Sequence, residues 1–517
     1  MSSTVSPRLG ILLGAAVADA LGAGTEFQTA DQISRRYGTV TGYVQGVNHD
    51  FLPGEFTDDT HMALCILGGY WDARRRGQDL LEATLARFQG WRAARPPDIG
   101  NATQSSLMAS RSHGLAGGFV AWEQSGYAAA GNGGLMRAAA SVVAGSRGDL
   151  LRTEAVALSM LTHPDPRSLG ACRALVVALE AILDGADPTD AWKAALEDLR
   201  RAKLDQPAQE RFGQHRGALI RERLPEARAA VRTAVERGLT GEWRSQSGFV
   251  IDTLEAAVAA SLAPSFLEGI LPIVARGDDS DTVAAVAGAV LGARGLLPPD
   301  ELVEGLRCHF QWPTWPPGQA HGWPALAAFV PPPADVPPAD LTVVDREHDE
   351  YRRQVPGLPH FEFDEIAPRV YAGRAPLFRR EVWHLQAAGI THILDFREER
   401  EWNQPGYEGA SAIAEIDSLG ITRLHVPITD VTAPRAHHLD TAVAFIEAVQ
   451  HVGGTVYLHC RAGMQRTAAV AAAWYAGQQQ CTVAEAVTRL RQRRPLFQPL
   501  HEQVHAAQTW LINRARR

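Results

Sequence analysis

The chain has 517 residues, enough for roughly two to four domains. Hydrophobic residues make up 45% of it and charged residues 21%, an ordinary globular composition that excludes disorder of the whole chain. The net charge, 50 basic minus 58 acidic residues, is −8, which argues against general binding to nucleic acid or to anionic membranes. The five cysteines show no C-x-x-C spacing, so we predict neither a disulfide scaffold nor a zinc cluster. A reducing, cytoplasmic location is therefore expected.

An apolar run near the start of the chain imitates a secretory signal. Arg8 precedes Leu9–Leu21, and Ala16-Val17-Ala18 resembles a cleavage site. We favour the alternative, a buried first helix, because Asp19 and Glu26 follow at once. Since no other stretch reaches about 20 apolar residues, the sequence predicts no membrane span.

Residues 1–310 predict an all-helical domain. They are rich in Ala, Leu and Gly, and continuous β-branched runs are few. Helical periodicity is visible in Met62–Arg75, Leu80–Arg95, Leu169–Leu183, Asp190–Arg201, Leu254–Ala260 and Thr282–Arg294. The alternating charges between residues 190 and 245 indicate solvated helix faces.

Residues 311–342 are predicted to form a linker. Nine of the chain's 31 prolines lie between residues 311 and 340, so the stretch should be extended and semi-stiff. Trp312, Trp315 and Trp323 indicate that its first part packs on the preceding domain. We place the domain boundary near residue 340.

Residues 343–517 predict an α/β domain. Short strands are expected at Ile366–Tyr371, Ile390–Asp395, Arg423–Val426 and Thr455–Leu458. Helices are expected at Leu439–His451, Thr467–Gln478, Val483–Arg491 and Leu500–Ala515. Strands that alternate with helices favour a mainly parallel sheet, so the whole chain is predicted to be multidomain, all-α and then α/β.

Two carboxylate clusters stand at predicted helix starts in the first half. They are Thr57-Asp58-Asp59-Thr60 and Asp278-Asp279-Ser280-Asp281-Thr282. Either cluster alone fits helix capping, because Thr and Asp accept backbone hydrogen bonds and complement the helix dipole. Facing each other, the two could supply the several oxygens that a hard divalent cation requires. The cation would offset the repulsion between the carboxylates.

Polar turns lie between the two clusters. They are Asp98-Ile99-Gly100-Asn101, the glycine-rich run Gly131 to Arg137, and Thr162-His163-Pro164-Asp165-Pro166. Gly- and Asn-rich turns of this kind approach ligands closely, although each one alone is weak evidence.

Two further motifs are Ala18-Asp19-Ala20-Leu21-Gly22 and Ser247 to Leu254. Together with the carboxylate clusters and the polar turns, and in their order along the chain, they resemble the ADP-ribosylglycohydrolase family over residues 8–300. The resemblance implies an all-α enzyme that binds two magnesium or manganese ions and cleaves the glycosidic bond between ADP-ribose and its target. The implied metal ligands are Thr57, Asp58, Asp59, Asp279, Asp281 and Thr282. Glu26 and Asp98 would lie beside the scissile ribose, and the ADP-ribose site would be lined by Asn132, Gly133, Gly134 and His163.

The implied chemistry suits these residue types. Cleavage at a ribose passes through an oxocarbenium-like state and needs an oriented water and an acid or base. Metal ions could fix the ribose hydroxyls and polarise the water, and glycine N–H groups could hold the pyrophosphate. Phe249 is expected either to stack near the adenine or to pack in the core. The linked residue stays open: arginine is the commonest target in compact bacterial-type members, beside serine, DNA ends and small metabolites.

Two positions depart from the family pattern. Ala18 stands where Gly is usual before Asp19, and Asp278 stands where the second Gly of a G-G-D run is usual. The second departure would add a carboxylate near the metals and could alter their number or affinity.

The sharpest motif lies in the second half, where an apolar strand ends at Cys460 and a helix begins after Arg466. The loop N–H groups and the positive end of the helix would form an anion site and favour a thiolate at Cys460. Arg466 can bind two phosphate oxygens, and Thr467 can stabilise the departing thiolate. A buried structural cysteine would not explain why Gly463, Arg466 and Thr467 all fit one loop. The predicted phosphate-binding residues are Arg461, Ala462, Gly463, Met464, Gln465, Arg466 and Thr467.

Asp430 follows a predicted strand 30 residues before Cys460. With this spacing, residues 360–515 resemble the protein-tyrosine/dual-specificity phosphatase superfamily. The resemblance implies that Cys460 is the nucleophile, that Arg466 binds phosphate and that Asp430 is the general acid. The alternatives are that Asp430 is a turn residue or that Asp395 is the acid. Gln503 is expected to orient the hydrolytic water.

The sequence therefore predicts a bifunctional, cytoplasmic hydrolase. One domain would remove ADP-ribose from a modified protein or small molecule with Mg²⁺, and the other would act on a phosphorylated substrate through a phosphocysteine. One domain could instead be an inactive ADP-ribose- or phosphate-binding module, or both could act on one substrate. A rhodanese-like sulfur carrier is a further alternative, against which Asp430 and the Arg466-Thr467 pair argue.

Overall fold

The computed structural model describes residues 5–47, 51–318, 322–333, 361–402 and 408–516. Two compact units divide the chain, Pro7–Leu326 and Ala327–Arg517. The predicted boundary near residue 340 and the predicted start of the second domain at residue 343 lie outside the described residues.

Helices build the described part of the first unit, which confirms the all-helical prediction. They are α1 (Pro7–Gly22), α2 (Ala30–Tyr37), α3 (Asp58–Arg76), α4 (Leu80–Ala93), α5 (Asn101–His113), α6 (Gly117–Gln124), α7 (Ala139–Val143), α8 (Gly148–Met160), α9 (Pro166–Leu183), α10 (Pro188–Arg201), α11 (Asp205–Phe212), α12 (Gln214–Gly238), α13 (Val250–Ala260), α14 (Phe266–Arg276), α15 (Ser280–Ala293), α16 (Asp300–Gly305) and, across the boundary of the units, α17 (Gly322–Ala328). Several begin earlier than the apolar periodicity does, because polar residues such as Asp58 occupy the first turn, where they complement the helix dipole.

Helix α1, which contains the apolar run near the start of the chain, is buried against α15. A Cβ atom added to Gly14 would lie 2.2 Å from the Gly288 carbonyl oxygen, and one added to Gly22 would lie 2.4 Å from the Asp281 Cα atom. Glycine therefore permits an approach that larger residues would prevent, and this approach brings the C-terminal end of α1 against the N-terminal end of α15. Among the described residues, no helix combines the length and the hydropathy that crossing a membrane requires.

Trp312 and Trp315 are buried within the first unit, in line with the packing that the tryptophans predict. The Trp312 ring centroid lies 4.7 Å from that of His61, and Trp315 contacts Phe56 edge to face at 5.7 Å. These aromatic contacts pack the first part of the proline-rich stretch against the N-terminal turn of α3.

The second unit contains a five-stranded sheet with the order β1-β2-β5-β3-β4. Among the strands that the structure describes, only β1 pairs antiparallel, which confirms the prediction of an α/β domain with a mainly parallel sheet. The elements are β1 (Phe363–Ala367), β2 (Val370–Arg374), α18 (Arg379–Ala387), β3 (His392–Asp395), α19 (Gly409–Ser418), β4 (Thr422–His425), α20 (Ala436–Val452), β5 (Val456–Cys460), α21 (Arg466–Gln479), α22 (Val483–Arg491) and α23 (His501–Arg514).

One predicted strand is wrong. Residues Ile366–Tyr371 were expected to be continuous, but they contain the end of β1, a turn and the start of β2. Arg369 takes a φ of 63° in that turn, a left-handed conformation that a non-glycine residue rarely adopts and that the sequence does not signal.

The parallel strands end at one edge of the sheet. Arg374 is paired with Cys460, and Asp395 is paired with His459. Ligands bind outside the carboxyl ends of strands in open α/β sheets, so this edge is where a site is expected.

Candidate functional sites

A cavity of about 340 Å³ in the first unit gathers most of the residues predicted to bind ADP-ribose and metal. It is lined by Glu26, Asp58, Asp98, Asn132, Gly133, His163, Asp279, Asp281 and Thr282, together with Phe27 and the backbone around Gly100 and Gly131. Thr57 and Asp59 are buried next to these residues. Segments that are distant in the sequence therefore meet at one place.

Carboxylates form two overlapping clusters in this region. Asp19, Asp59 and Asp281 each offer an oxygen atom within 4.8 Å of the others, and Glu26, Asp98 and Asp281 form a second such group. Asp281 belongs to both clusters, so a change at this residue affects both.

Burial makes these carboxyls costly to ionise. It raises the pKa of Glu26 to about 10, with further contributions from the charges of Asp98 and Asp279. Burial also raises the pKa of Asp59 and Asp281 well above the ordinary range, and neighbouring carboxylates add to the effect. Buried like charges of this kind are stabilised by bound protons or by a cation.

The donor set fits a hard divalent cation. The buried Oδ1 atom of Asp59 has no hydrogen-bond partner among the described residues. The Thr57 hydroxyl donates to Asp19 at 2.9 Å, and its oxygen lies 3.1 Å from Asp59 Oδ2 and 3.4 Å from Asp281 Oδ2. Carboxylate and hydroxyl oxygens without nitrogen or sulfur suit Mg²⁺ or Mn²⁺.

Asp19 has a structural role that its motif alone does not indicate. Its carboxylate accepts hydrogen bonds from the backbone and the hydroxyl of both Thr57 and Thr60, which fixes the start of α3. Burial raises the pKa of Asp19 to about 6, although these hydrogen bonds oppose the rise. A signal was present, because one carboxylate in an otherwise apolar helix requires a polar partner.

The glycine-rich turn lies against a buried histidine. A Cβ atom on Gly133 would come within 2.7 Å of His163 Cε1, and one on Gly134 within 2.4 Å of Ser159 Oγ. Burial, with the nearby charge of Arg137, lowers the pKa of His163 to about 3, so the imidazole is neutral. Because glycine has no side chain, the turn can approach the neutral imidazole of His163 closely.

Asn132 joins the turn to the acidic clusters. Its amide donates to Asp279 Oδ2 at 2.5 Å and to Thr253 Oγ1 at 2.9 Å. Phe249 is not among the residues that line the cavity, and its half-buried ring lies 5.5 Å from the guanidinium carbon of Arg167.

The two departures from the family pattern have different surroundings. Ala18 is fully buried in α1. Asp278 is exposed and has a φ of 52°, in the left-handed region that favours glycine. Its carboxylate lies at the surface, not among the buried acids.

The loop from Cys460 to Thr467 in the second unit, the thiol loop, is held in place by contacts with its neighbours. Cys460 is buried at the end of β5, and Gly463 takes a φ of 67°. A Cβ atom on Gly463 would lie 2.1 Å from the Gly373 carbonyl oxygen, so only glycine fits. The Arg494 guanidinium donates to the Gly463 carbonyl at 3.3 Å. Of the other predicted loop residues, Arg461 and Ala462 are exposed, and Met464 and Gln465 are half-buried.

Thr467 ends the loop at the start of α21. Its hydroxyl is buried and has no hydrogen-bond partner among the described residues. A hydroxyl in this state is available to a group that enters the loop.

Arg466 is held by Glu401, a residue that no sequence motif indicates. Both of its Nη atoms donate to the Glu401 carboxylate at 2.7 Å, and Nη2 also lies 3.1 Å from Asp430 Oδ1. Burial opposes the charge, but Glu401 and Cys460 raise the pKa of Arg466 above its ordinary value. Glu401 lies in a single 3₁₀ turn with no motif, so only the fold reveals the pair.

Asp430 stands at the mouth of the thiol loop, with a side chain that is 43% exposed. Gln503 is fully buried beneath the same segment, where its Nε2 donates to the Thr432 carbonyl at 2.8 Å and its Oε1 accepts from Leu500 N–H at 3.0 Å. The Gln503 amide therefore anchors the segment that carries Asp430.

Asp395 does not have the surroundings of an acid catalyst. It is buried between two guanidinium groups, those of Arg397 at 2.9 Å and Arg423 at 3.0 Å. Burial opposes ionisation, but the charges of Arg397, His459 and Arg423 outweigh it and hold the pKa of Asp395 well below the ordinary range. The carboxylate acts as a structural hydrogen-bond acceptor.

Comparison with known proteins matches both units to hydrolase families. Residues 4–309 match the ADP-ribosylglycohydrolase family model, and residues 370–510 match the catalytic domain of dual specificity phosphatases. The first match covers more than half of the chain, which therefore belongs to the ADP-ribosylglycohydrolase family and carries a second, phosphatase-type hydrolase domain.

Individual relatives agree with this division. The chain is 32% identical over 299 residues to the ADP-ribosylarginine hydrolase Tri1 of Serratia proteamaculans (strain 568), covering 56% of this chain and 72% of that protein. It is 34% identical over 131 residues to dual specificity protein phosphatase 12 of Mus musculus, covering 25% of this chain and 36% of that protein. A solved ADP-ribosylglycohydrolase-related protein complex shares 30% identity over 58% of this chain and 92% of its own, with a TM-score of 0.44.

Proposed function

We propose that the first domain hydrolyses the bond between ADP-ribose and an arginine side chain of a modified protein, with the help of two divalent cations, Mg²⁺ or Mn²⁺. The observation that carries the proposal is that carboxylates at the starts of α3 and α15 meet Glu26 and Asp98 at one cavity beside a glycine-rich turn. The choice of arginine is supported by similarity to two ADP-ribosylarginine hydrolases.

Each part of the cavity has a task in this reaction. The cations would be held by Thr57, Asp58, Asp59, Asp279, Asp281 and Thr282. When bound, they would orient the ribose hydroxyls and polarise a water molecule. Asp98, which lies within reach of Glu26, is placed to take a proton from the attacking water at a carboxylate oxygen. Glu26, whose pKa is raised to about 10 without metal, would share this role once bound cations favour its ionised form, and negative charge here would stabilise the oxocarbenium-like ribose.

The opposite end of the cavity would bind the rest of ADP-ribose. Backbone N–H groups of a glycine-rich turn can hold a pyrophosphate. Asn132 and Gly133 line the cavity, and Gly134 follows them in the same turn, which lies beside the neutral His163. Phe249 stays a candidate for contact with the adenine.

The test uses ADP-ribosyl-arginine and ADP-ribosyl-serine peptides, with and without magnesium, and measures free ADP-ribose. The expected result is metal-dependent release from arginine that is abolished in the Asp58→Ala/Asp281→Ala double variant. Asp278→Asn, which removes an exposed carboxylate of the same segment, is the matched control. Undiminished release by the double variant would contradict the assignment.

We propose that the second domain hydrolyses phosphomonoesters. The Cys460 thiolate attacks phosphorus while the Asp430 carboxyl gives its proton to the departing oxygen, and a phosphocysteine forms. Water then breaks the sulfur–phosphorus bond and releases inorganic phosphate. The observation that carries this proposal is the placement of Cys460 in one loop with Arg466, whose guanidinium lies 3.1 Å from Asp430.

Phosphate release from para-nitrophenyl phosphate tests the second activity. Cys460→Ser should abolish it, whereas Cys481→Ser, a half-buried cysteine outside the loop, should leave it intact. Binding of phosphate that stabilises the chain without any turnover would instead identify a binding module. Sulfur transfer without phosphate release would support the sulfur-carrier alternative.

A further inference from the structure

Phe27 has an unusual position at the rim of the acidic cavity. The residue is 61% exposed, although it is large and apolar, and its φ of 56° lies in the left-handed region. Two backbone hydrogen bonds hold this conformation: Phe27 N–H donates to the Asp278 carbonyl at 2.7 Å, and Asp278 N–H donates to the Gln28 carbonyl at 2.9 Å. Strained residues that the surrounding structure fixes in this way are typical of functional sites.

Phe27 also lines a second cavity, of about 440 Å³. This cavity is lined by Phe27, Gln28, Gln32, Arg35, Arg36 and Val47. Arg35 and Arg36 are exposed on α2; the Arg35 Nε atom donates to the main-chain oxygen of Asp31, and the Arg36 guanidinium lies 5.5 Å from the Tyr37 ring centroid. Two basic side chains thus face a cavity that adjoins a strongly acidic one.

The place of Phe27 next to Glu26 suggests which part of the substrate the second cavity would bind, namely the target polypeptide that carries the ADP-ribose. Under the proposed function, ADP-ribose extends from Glu26 toward the glycine-rich turn. Phe27 directly follows Glu26, so its far side is where the modified polypeptide would leave the scissile bond. Arginine residues there are complementary to acidic side chains.

We propose that the cavity formed by Phe27, Gln32, Arg35, Arg36 and Val47 binds the target polypeptide and selects ADP-ribosylated arginines that have acidic neighbours. This inference rests on the proposed function of the first domain, and it narrows the substrate class of that domain. The Phe27 ring separates the two cavities, and the arginines bind the flanking carboxylates.

The experiment compares three substrates with the full chain and magnesium: free ADP-ribosyl-arginine, a peptide with Glu on both sides of the ADP-ribosylated arginine, and the same peptide with Gln. Wild type should show a kcat/KM about 2- to 30-fold higher for the Glu peptide, the range that two exposed ion pairs provide. The preference should fall with added salt, because exposed charges are screened.

The Arg35→Glu/Arg36→Glu variant should lower the Glu-to-Gln ratio to one or less. Since the ratio is taken within each variant, a general loss of activity cancels. Arg200→Glu/Arg201→Glu, an exposed pair on α10 that lines neither cavity, is the matched control and should keep the wild-type ratio.

The possible results distinguish a failure of the target-binding inference from a failure of the proposed function of the first domain. Hydrolysis of free ADP-ribosyl-arginine with equal rates on the two peptides would overturn the target-side inference alone. Absence of hydrolysis on all three substrates would overturn the proposed function together with it. If Arg35→Glu/Arg36→Glu keeps the wild-type preference for the Glu peptide, this cavity does not select targets with acidic neighbours.

Discussion

Asp281→Asn tests whether the two acidic clusters share a cation site. Asn keeps the size of the side chain, and its Oδ1 atom can still accept the hydrogen bond from Thr282 N–H, which is 2.8 Å long here. A metal at 100 times its dissociation constant should stabilise the wild-type fold by about 2.7 kcal/mol. For a domain of about 300 residues, that corresponds to a rise in Tm of about 4 °C. The variant loses a ligand common to both clusters and should shift by less than about 1 °C.

The assay is thermal unfolding of the full chain in EDTA and in graded magnesium or manganese. In EDTA, Asp281→Asn should unfold at the wild-type temperature or above it, because it removes one buried carboxylate from among like charges. Asp278→Asn removes the same charge at an exposed position of the same segment and should respond to metal as wild type does. A metal-dependent shift of wild-type size in Asp281→Asn would refute the shared site.

Two further changes test the second domain. Gly463→Ala should reduce phosphate release about 100-fold or more, since the added methyl would lie 2.1 Å from the Gly373 carbonyl oxygen and displace the loop; unchanged turnover of para-nitrophenyl phosphate would contradict this. Asp395→Asn should lower the free energy of unfolding by about 3–5 kcal/mol, because it leaves Arg397 and Arg423 buried without their shared carboxylate. The folded pKa of Asp395 is depressed, so its stabilisation is present above about pH 4 and is lost as the pH falls through the folded pKa. Denaturant titrations at stepped pH would show the wild-type advantage disappearing only in acid.

A partly exposed ion pair provides the control for the stability loss expected in Asp395→Asn. Glu447 pairs with Arg514 at 2.9 Å, but the two side chains are 22% and 38% exposed. Glu447→Gln should therefore cost no more than about 1 kcal/mol. A loss as large as that of Asp395→Asn would show that burial is not the deciding factor.

Local patterns predicted the features that depend on neighbours in the sequence. Apolar periodicity located α22 at its observed bounds, Val483–Arg491, and placed the other proposed helices within a few residues of their observed ends. The order of the motifs along the chain, which resembles that of the ADP-ribosylglycohydrolase family, also indicated that the two carboxylate clusters meet. Glycines of α1 and α15 allow these two helices to approach closely, and Asp19 of α1 accepts hydrogen bonds from the start of α3, but a sequence does not show which helices pair.

Features that depend on tertiary contacts were missed. The partner of Arg466 is Glu401, 65 residues away in the chain, and no spacing rule links a carboxylate in a charged 3₁₀ turn to that loop. The role of Asp19 depends on the start of α3, which only the packed structure brings near. The turn at Arg369 lacks the glycine that usually marks a positive φ, so two strands were taken as one.

The two sites differ in how their buried charges are balanced. Among the described residues that line the acidic cavity, five are carboxylic acids and none is Lys or Arg. In the second domain, Arg466 is matched by Glu401, and Asp395 is matched by Arg397 and Arg423. A bound cation should therefore stabilise the first domain, whereas these buried charges of the second domain are paired with residues of the same chain. Chelation should consequently lower the unfolding temperature of the first domain and leave that of the second unchanged, so the two domains should unfold as separable transitions in EDTA.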